Sequence, residues 1–365
     1  MIKEFIKKEI VLIVAWILAL ISIVLVPIDT TYMEYIDFRT LSLLFCLMSV
    51  VAGFGKSEIF TYIGNKLLNH FKSIRAIMLI LIFLCFIFSM LITNDVALIT
   101  FVPFAIVVLR LAHGERYIIP TLVLQTVGAN LGSMLTPMGN PQNLYLYGKS
   151  GLSALEFIKI TLPYTLASAI LLCIAVMLVK NAKLEFTLNQ IKPDYKCVAF
   201  YTALFLICFL SVLNILNYKI LLIIIIIAVA IADKQLFKRV DYSLLLTFVG
   251  FFIFIGNIGR IPEFNQVISS LVAGNEVITA ITASQIISNV PAALLLSGFS
   301  NNWSRLIIGT NLGGLGTLIA SMASLISYKL LAKNYSHLKG RYLTVFTAVN
   351  IFFLIILYIL YIFVK

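Results

Sequence analysis

The chain has 365 residues, 61% of them apolar and 12% charged, with a mean hydropathy of +1.07. Soluble domains hold about 45 to 50% apolar residues, so the composition excludes a soluble domain and predicts an all-α integral membrane protein. The net charge of +12 does not mark a nucleic-acid partner, because the Lys and Arg residues sit in short loops between apolar runs and form no basic stripe interleaved with aromatics.

KEFIKKE followed by the apolar run 10–28 has the basic-then-apolar order of a signal peptide, but the run is long and no small-x-small cleavage site follows. It predicts a retained first span. Further apolar runs lie at 40–54, 74–92, 96–110, 117–147, 160–180, 197–216, 218–232, 241–259, 276–299, 303–331 and 342–364. Lys56 to His70 and Pro262 to Ala273 are amphipathic and read as interfacial.

Spanning needs roughly 20 residues at about 1.5 Å each. The stretch 276–287 is interrupted after twelve residues by Ser288-Asn289-Val290-Pro291, which limits its reach to about 18 Å and predicts a re-entrant hairpin over 276–299. The earlier stretch 74–110, interrupted by Thr93-Asn94-Asp95, reads as a matching hairpin or as two full spans. Either leaves the later topology unchanged.

With the N-terminus cytoplasmic, inner loops collect 20 basic residues and outer loops 7, which accounts for all 27. That asymmetry is the positive-inside pattern, and it places the C-terminus outside the cell membrane.

Gly128-Ala-Asn-Leu-Gly-Ser-Met-Leu-Thr136 and Gly309-Thr-Asn-Leu-Gly-Gly-Leu-Gly-Thr317 share G-x-N-L-G-x-x-x-T, and each follows an Asn-bearing interruption. The predicted order is a first repeat over 1–196, a connecting span at 197–217 and a second repeat over 218–365. The first repeat contains hairpin 74–110 and broken helix 117–147; the second contains hairpin 276–299 and broken helix 303–331. The odd connector turns the second copy upside down, the inverted repeat of secondary transporters with a midplane site.

Gly128, Gly132, Pro137, Gly139, Pro141, Pro291, Gly309 and Gly313 are the expected helix-breaking positions, although G-x-x-x-G also serves close helix packing. Candidate substrate- or ion-binding residues are Thr93, Asn94, Asp95, Asn130, Thr136, Asn140, Ser288, Asn289, Asn311 and Thr317. Gln142 and Asn143 read equally as loop or site. Asp95 is the one acid that cannot be placed in a loop, and a carboxylate at membrane depth is costly unless paired or facing a wet cavity. Its bland role is a helix cap.

Helix N-termini at the interruptions offer seats for an anion, and amide, hydroxyl and carbonyl oxygens suit a hard cation. A Na+ seat is expected at Asn94, Asp95 and Asn289. With no Lys or Arg at depth, an anionic substrate needs Na+ or H+ carried with it.

The cysteines at 46, 85, 173, 197 and 208 have no C-x-x-C spacing, and His70, His113 and His337 lie in loops. One deep acid without a partner does not make an intramembrane enzyme, so no catalytic residue and no cofactor beyond the coupling ion is expected.

On TNDVALITFVPF, GANLGSMLTPMGNPQNLYLY, SQIISNVPAALLLSGF and GTNLGGLGTLIASMASLISYKL, the chain resembles the ion transporter superfamily. That superfamily holds citrate permeases, divalent anion:sodium symporters, ArsB arsenite permeases and NhaD sodium/proton antiporters. The resemblance runs from about residue 10 to 364. It implies two hairpins in a transport domain, a scaffold that forms a homodimer, and elevator-like movement between them. Symporters of this superfamily carry Ser-Asn-Thr at both tips; here Asn94 and Asn289 match, Thr93 and Ser288 take the first position, and the third departs twice. Asn-Asp at the first tip is closer to ArsB and NhaD. The functional expectation is a permease for a small anion, oxyanion or metalloid coupled to Na+ or H+, with a Na+/H+ antiporter or arsenite efflux permease as alternatives.

Overall fold

The computed structural model describes residues 10–68, 71–183 and 192–364. The basic stretch before Ile10, His70 and Lys365 lie outside the described residues. Apart from an isolated bridge between Ser73 and Lys183, every regular element among the described residues is helical.

The helices are α1 (Ile10–Leu25), α2 (Phe38–Lys56), α3 (Ile59–Leu68), α4 (Ile74–Ile92), α5 (Asn94–Leu111) and α6 (Ile118–Ser133). They continue with α7 (Pro141–Ser150), α8 (Ala154–Met177), α9 (Tyr195–Val212), α10 (Tyr218–Asp233), α11 (Tyr242–Gly259) and α12 (Pro262–Val272). The last are α13 (Glu276–Ile287), α14 (Asn289–Ser297), α15 (Trp303–Gly313), α16 (Met322–Asn334) and α17 (Lys339–Val364). Apolar composition makes them helical, because backbone groups out of reach of water must be satisfied within the segment.

Short polar side chains set many of the starts. Asp37, Asp194, Asn217, Asp241 and Asn302 each accept a backbone N–H in the first turn of the helix that follows, and Ser153 with Glu156 forms a capping box on α8. Among the described residues, eight segments are long and apolar enough to cross a membrane, α4 and α5 each among them. The chain is therefore a multi-span helical membrane protein. The second interrupted pair differs: α13 has 12 residues and α14 has 9, so neither covers a hydrocarbon core of about 30 Å. α12 meets α13 at 113°.

Packing divides these helices into two cores. One gathers α4, α5, α6, α8, α16 and α17. The other gathers α1, α2, α9, α10 and α11, and α7 and α14 also contribute to it. The two cores adjoin at α13 and α15, each of which gives residues to both.

The breaks lie later than Gly128, Gly132, Gly309 and Gly313. Residues 117–147 are interrupted at 134–140 and residues 303–331 at 314–321. Gly128, Gly132 and Gly309 do not break anything: they sit inside continuous α6 and α15, and Gly313 is the last residue of α15. Their reason is close approach. A Cβ on Gly132 would lie 2.1 Å from the Phe86 carbonyl oxygen, and one on Gly313 would lie 2.4 Å from Ser284 Oγ. Pro291 likewise occupies the first turn of α14, where its missing N–H costs nothing. Pro137 and Gly139 do fall in the first break, and Pro141 starts α7.

Candidate functional site

The two interruptions have one backbone geometry. Thr93 between α4 and α5 has φ 73° and ψ 149°, and Ser288 between α13 and α14 has φ 75° and ψ 155°. Such a conformation for a non-glycine residue costs on the order of 1 to 3 kcal/mol and persists where the surroundings over-determine it. The surroundings here are the broken helices. The Asn94 N–H donates to the Gly139 carbonyl at 3.0 Å, and Ser288 Oγ donates to the Ala320 carbonyl at 3.4 Å. Each junction is thus tied to the break of the helix that follows it.

The supporting contacts also occur twice. Gly128 faces Ile82 as Gly309 faces Val277, and Gly132 faces Ser89 as Gly313 faces Ser284. Thr136 Oγ1 donates to the Met90 carbonyl, while the Thr317 N–H donates to Gln285 Oε1. Ile82, Ser89 and Met90 precede Thr93 by the same 11, 4 and 3 positions that separate Val277, Ser284 and Gln285 from Ser288.

Between the junctions lies a buried amide network. Asn130 Oδ1 accepts from Asn94 Nδ2 at 3.1 Å and from Ser321 Oγ at 3.1 Å. Asn140 caps α7 through the Asn143 N–H and donates from Nδ2 to Asn311 Oδ1 at 3.0 Å. Asn311 Nδ2 in turn donates to Asn143 Oδ1 at 2.6 Å. Asn143 Nδ2 holds the carbonyls of Ser133, Met134 and Thr136 in the first break. Satisfied networks of this kind rigidify a core, because every unmade bond inside it is expensive.

A cavity of about 10 Å³ remains where Asn94, Asp95, Gln142, Asn289, Val290 and Ser321 meet Leu244 of α11. That is room for about one water-sized particle. Among the described residues, no Lys, Arg or His lines it. Asp95 is half-buried in the first turn of α5; its N–H donates to Asn94 Oδ1 at 3.0 Å, and its carboxylate makes no hydrogen bond to another described residue. The cap position belongs to Thr93, so Asp95 is not the cap. Asn289 Nδ2 and the whole Gln142 side chain, both buried, have no protein partner among the described residues. The first N–H groups of α14 point out of a helix N-terminus, which carries partial positive charge.

Chemically, this offers amide and hydroxyl oxygens with one carboxylate for a hard monatomic cation, next to amide and helix N–H groups for an oxyanion. No group of three His, Cys, Asp or Glu able to hold a metal occurs among the described residues, so a cation seat here draws on neutral oxygens and Asp95.

The sequence reading brings Thr93, Asn94, Asp95, Asn130, Asn140, Ser288, Asn289 and Asn311 to this region, all buried or half-buried. Thr136 stands back as a brace on Met90, and Thr317 is exposed. The reading passed over Ser133, Ser321 and Gln285, and left Gln142 and Asn143 undecided. Gln285 donates to the Gly313 and Leu315 carbonyls at 3.0 and 2.9 Å, holding the second break as Asn143 holds the first. The one signal for it was an amide side chain three residues before the interruption at Ser288.

A family model described as Citrate transporter matches residues 1–300. An uncharacterized transporter of Methanocaldococcus jannaschii is 34% identical over 345 residues, 93% of each chain. The inner membrane protein YbiR of Escherichia coli is 31% identical over 302 residues, 81% of this chain and 80% of that one. A silicon efflux transporter of Oryza sativa is 36% identical over 135 residues, 36% of this chain and 27% of its own.

Proposed function

We propose, from the premise that this chain belongs to the citrate transporter family, that it is a secondary active transporter moving a small anion or oxyanion across the cell membrane, coupled to Na+ or H+. The observation that carries this reading is the cavity where Asn94, Asp95, Asn289 and Ser321 meet with no basic side chain. An anion entering such a site repels ionised Asp95. Protonation of Asp95 or a Na+ beside it removes the repulsion, which links substrate to gradient.

The paired junctions support two inverted copies with re-entrant hairpins. Contacts repeated at identical offsets from Thr93 and Ser288 fit a duplicated unit, and the excess of basic residues in alternate loops fits opposite orientation with the N-terminus cytoplasmic and the C-terminus outside. α13 and α14 are short enough to enter and leave on one face. The helices that bear the site, α4–α7 and α13–α16, would then carry it along the α1, α2 and α9–α11 core in an elevator-type step, with that core forming a homodimer. A cavity near 10 Å³ holds a coupling ion but no dicarboxylate, so the substrate enters only when the site opens.

A second reading, efflux of an undissociated metalloid acid such as arsenite, is favoured by one feature. The single charged side chain at the cavity is acidic, and it does not repel a neutral acid. The silicon efflux relative points the same way.

Sealed proteoliposomes decide between them. The purified protein is given citrate, succinate, sulfate, arsenite or silicic acid under an imposed Na+ or pH gradient. Gradient-dependent flux of one anion is expected. Flux of arsenite or silicic acid alone selects the second reading, and Na+/H+ exchange indifferent to every solute makes the protein an antiporter and overturns both.

A further inference from the structure

Outside the amide network, the ends of α8, α15 and α17 converge around a second cavity of about 370 Å³. Its polar lining is Lys159, Tyr164, Asn302, Ser304, Arg305 and Tyr361. All six carry N–H or O–H donors. The side chains of Lys159, Tyr164, Ser304 and Tyr361 make no hydrogen bond to another described residue, although Tyr164 is only 2% exposed. A phenol that deep normally finds a partner.

Arg305 spends one donor on Glu276 Oε2 at 3.0 Å and has the rest of its guanidinium unengaged among the described residues. Asn302 uses its oxygen to accept the Arg305 N–H, which leaves its amide N–H₂ free. The nearby acid on the same helix, Glu156, is turned to Ser153 in the capping box. The cavity therefore offers two cations and several hydroxyl and amide donors, and its nearest acids are already engaged.

The rest of the lining is apolar: Ile160, Pro163, Ile308 and Val364. Leu155 and Phe363, at the same helix ends, are exposed large hydrophobics at 61% and 82%. Lys159 and Tyr164 fall in the first three turns of α8, Asn302 to Arg305 at the start of α15, and Tyr361 in the last turn of α17. Ends of membrane helices lie at head-group depth, where Tyr and Trp concentrate, and Trp303 sits between Asn302 and Ser304. A pocket of donors closed on one side by apolar surface fits a phosphate with hydrocarbon attached. Basic pockets between membrane helices bind anionic head groups for this reason.

We propose that this cavity is a binding site for the phosphate of an anionic phospholipid, bridging α8 and α17 to the α13–α15 pair through Arg305 and Glu276. The donors Lys159, Tyr164, Ser304, Tyr361 and the free face of Arg305 hold the phosphate oxygens, and Ile160, Pro163 and Val364 meet the acyl chain.

The test is native mass spectrometry of the full chain, delipidated in detergent and offered equal phosphatidylglycerol and phosphatidylcholine. Phosphatidylglycerol is expected to be retained over phosphatidylcholine by about fivefold or more. In Lys159→Gln/Tyr164→Phe the preference falls to near parity while the thermal midpoint in phosphatidylcholine stays within about 2 °C, since neither side chain is hydrogen-bonded to another described residue. Equal retention by the wild type, or an undiminished preference in the double variant, overturns the site. Inorganic phosphate is the control arm: if it alone stabilises the protein as well as phosphatidylglycerol does, the lipid assignment is wrong and a soluble anion is the ligand. Should the double variant not fold, Lys159→Gln at an exposed side chain carries the same comparison.

Discussion

Asn94 donates to Asn130 across 3.1 Å and 36 positions of sequence, and Asn130 accepts at the same oxygen from Ser321 of the other half. One side chain therefore couples the first junction to the second break. Replacing Asn130 by Leu leaves the buried donors of Asn94 and Ser321 unpaired, at about 1 to 3 kcal/mol each. The expected result is a lowered thermal midpoint together with a loss of flux of about tenfold or more, read by thermal unfolding and proteoliposome transport. Unchanged flux would show that the amide network has no part in transport.

Asp95 is placed differently. Its carboxylate makes no hydrogen bond to another described residue, so Asp95→Asn removes charge without removing a contact. Thermal stability is expected to hold, whereas the dependence of transport on the Na+ or proton gradient disappears. Measuring flux with and without each gradient separates these effects. A variant that keeps both its rate and its gradient dependence excludes Asp95 as the coupling group.

The glycines of the shared motif are expected to differ among themselves. A Cβ at Gly128 meets its nearest neighbour at 3.4 Å, while one at Gly132 meets the Phe86 carbonyl at 2.1 Å. Gly132→Ala forces α4 and α6 apart, and overpacking of this kind costs about 1 to 3 kcal/mol. Gly128→Ala is expected to cost little or nothing. Chemical or thermal unfolding of the two variants side by side checks the ranking, and equal midpoints would refute the packing account.

Gln142 lines the cavity, is 2% exposed and has no protein partner among the described residues. A buried amide left without a partner by the fold is available to a ligand. Gln142→Ala is predicted to raise KM by about threefold to thirtyfold, the equivalent of roughly 1 to 2 kcal/mol of lost binding, with the thermal midpoint of the unliganded protein unchanged. A shift in stability without a shift in KM would make Gln142 a structural residue.

Much of the site was legible beforehand because membrane depth makes polar residues conspicuous. Asn94, Asp95, Asn130, Asn289 and Asn311 stood out as polar side chains in apolar runs where they are costly, and all of them lie buried or half-buried around the junctions. The motif itself was less reliable about roles. Its glycines were read as breaks but lie in intact helices, because spacing alone does not distinguish a kink from two helices in contact. The paired threonines also diverge: Thr136 braces Met90, while Thr317 is exposed and offers only its backbone N–H.

The amino-acid order by itself determined that this is a helical membrane protein with two Asn-bearing interruptions, each followed by a polar break. Length, hydropathy and charge bias act locally along the chain, so they can be read from it. Only the tertiary structure decided which polar groups find each other. Asn140 reaches Asn311 across 171 positions and Gln142 reaches no partner among the described residues, and those outcomes depend on how two separately folded breaks are pressed together, which no local pattern encodes.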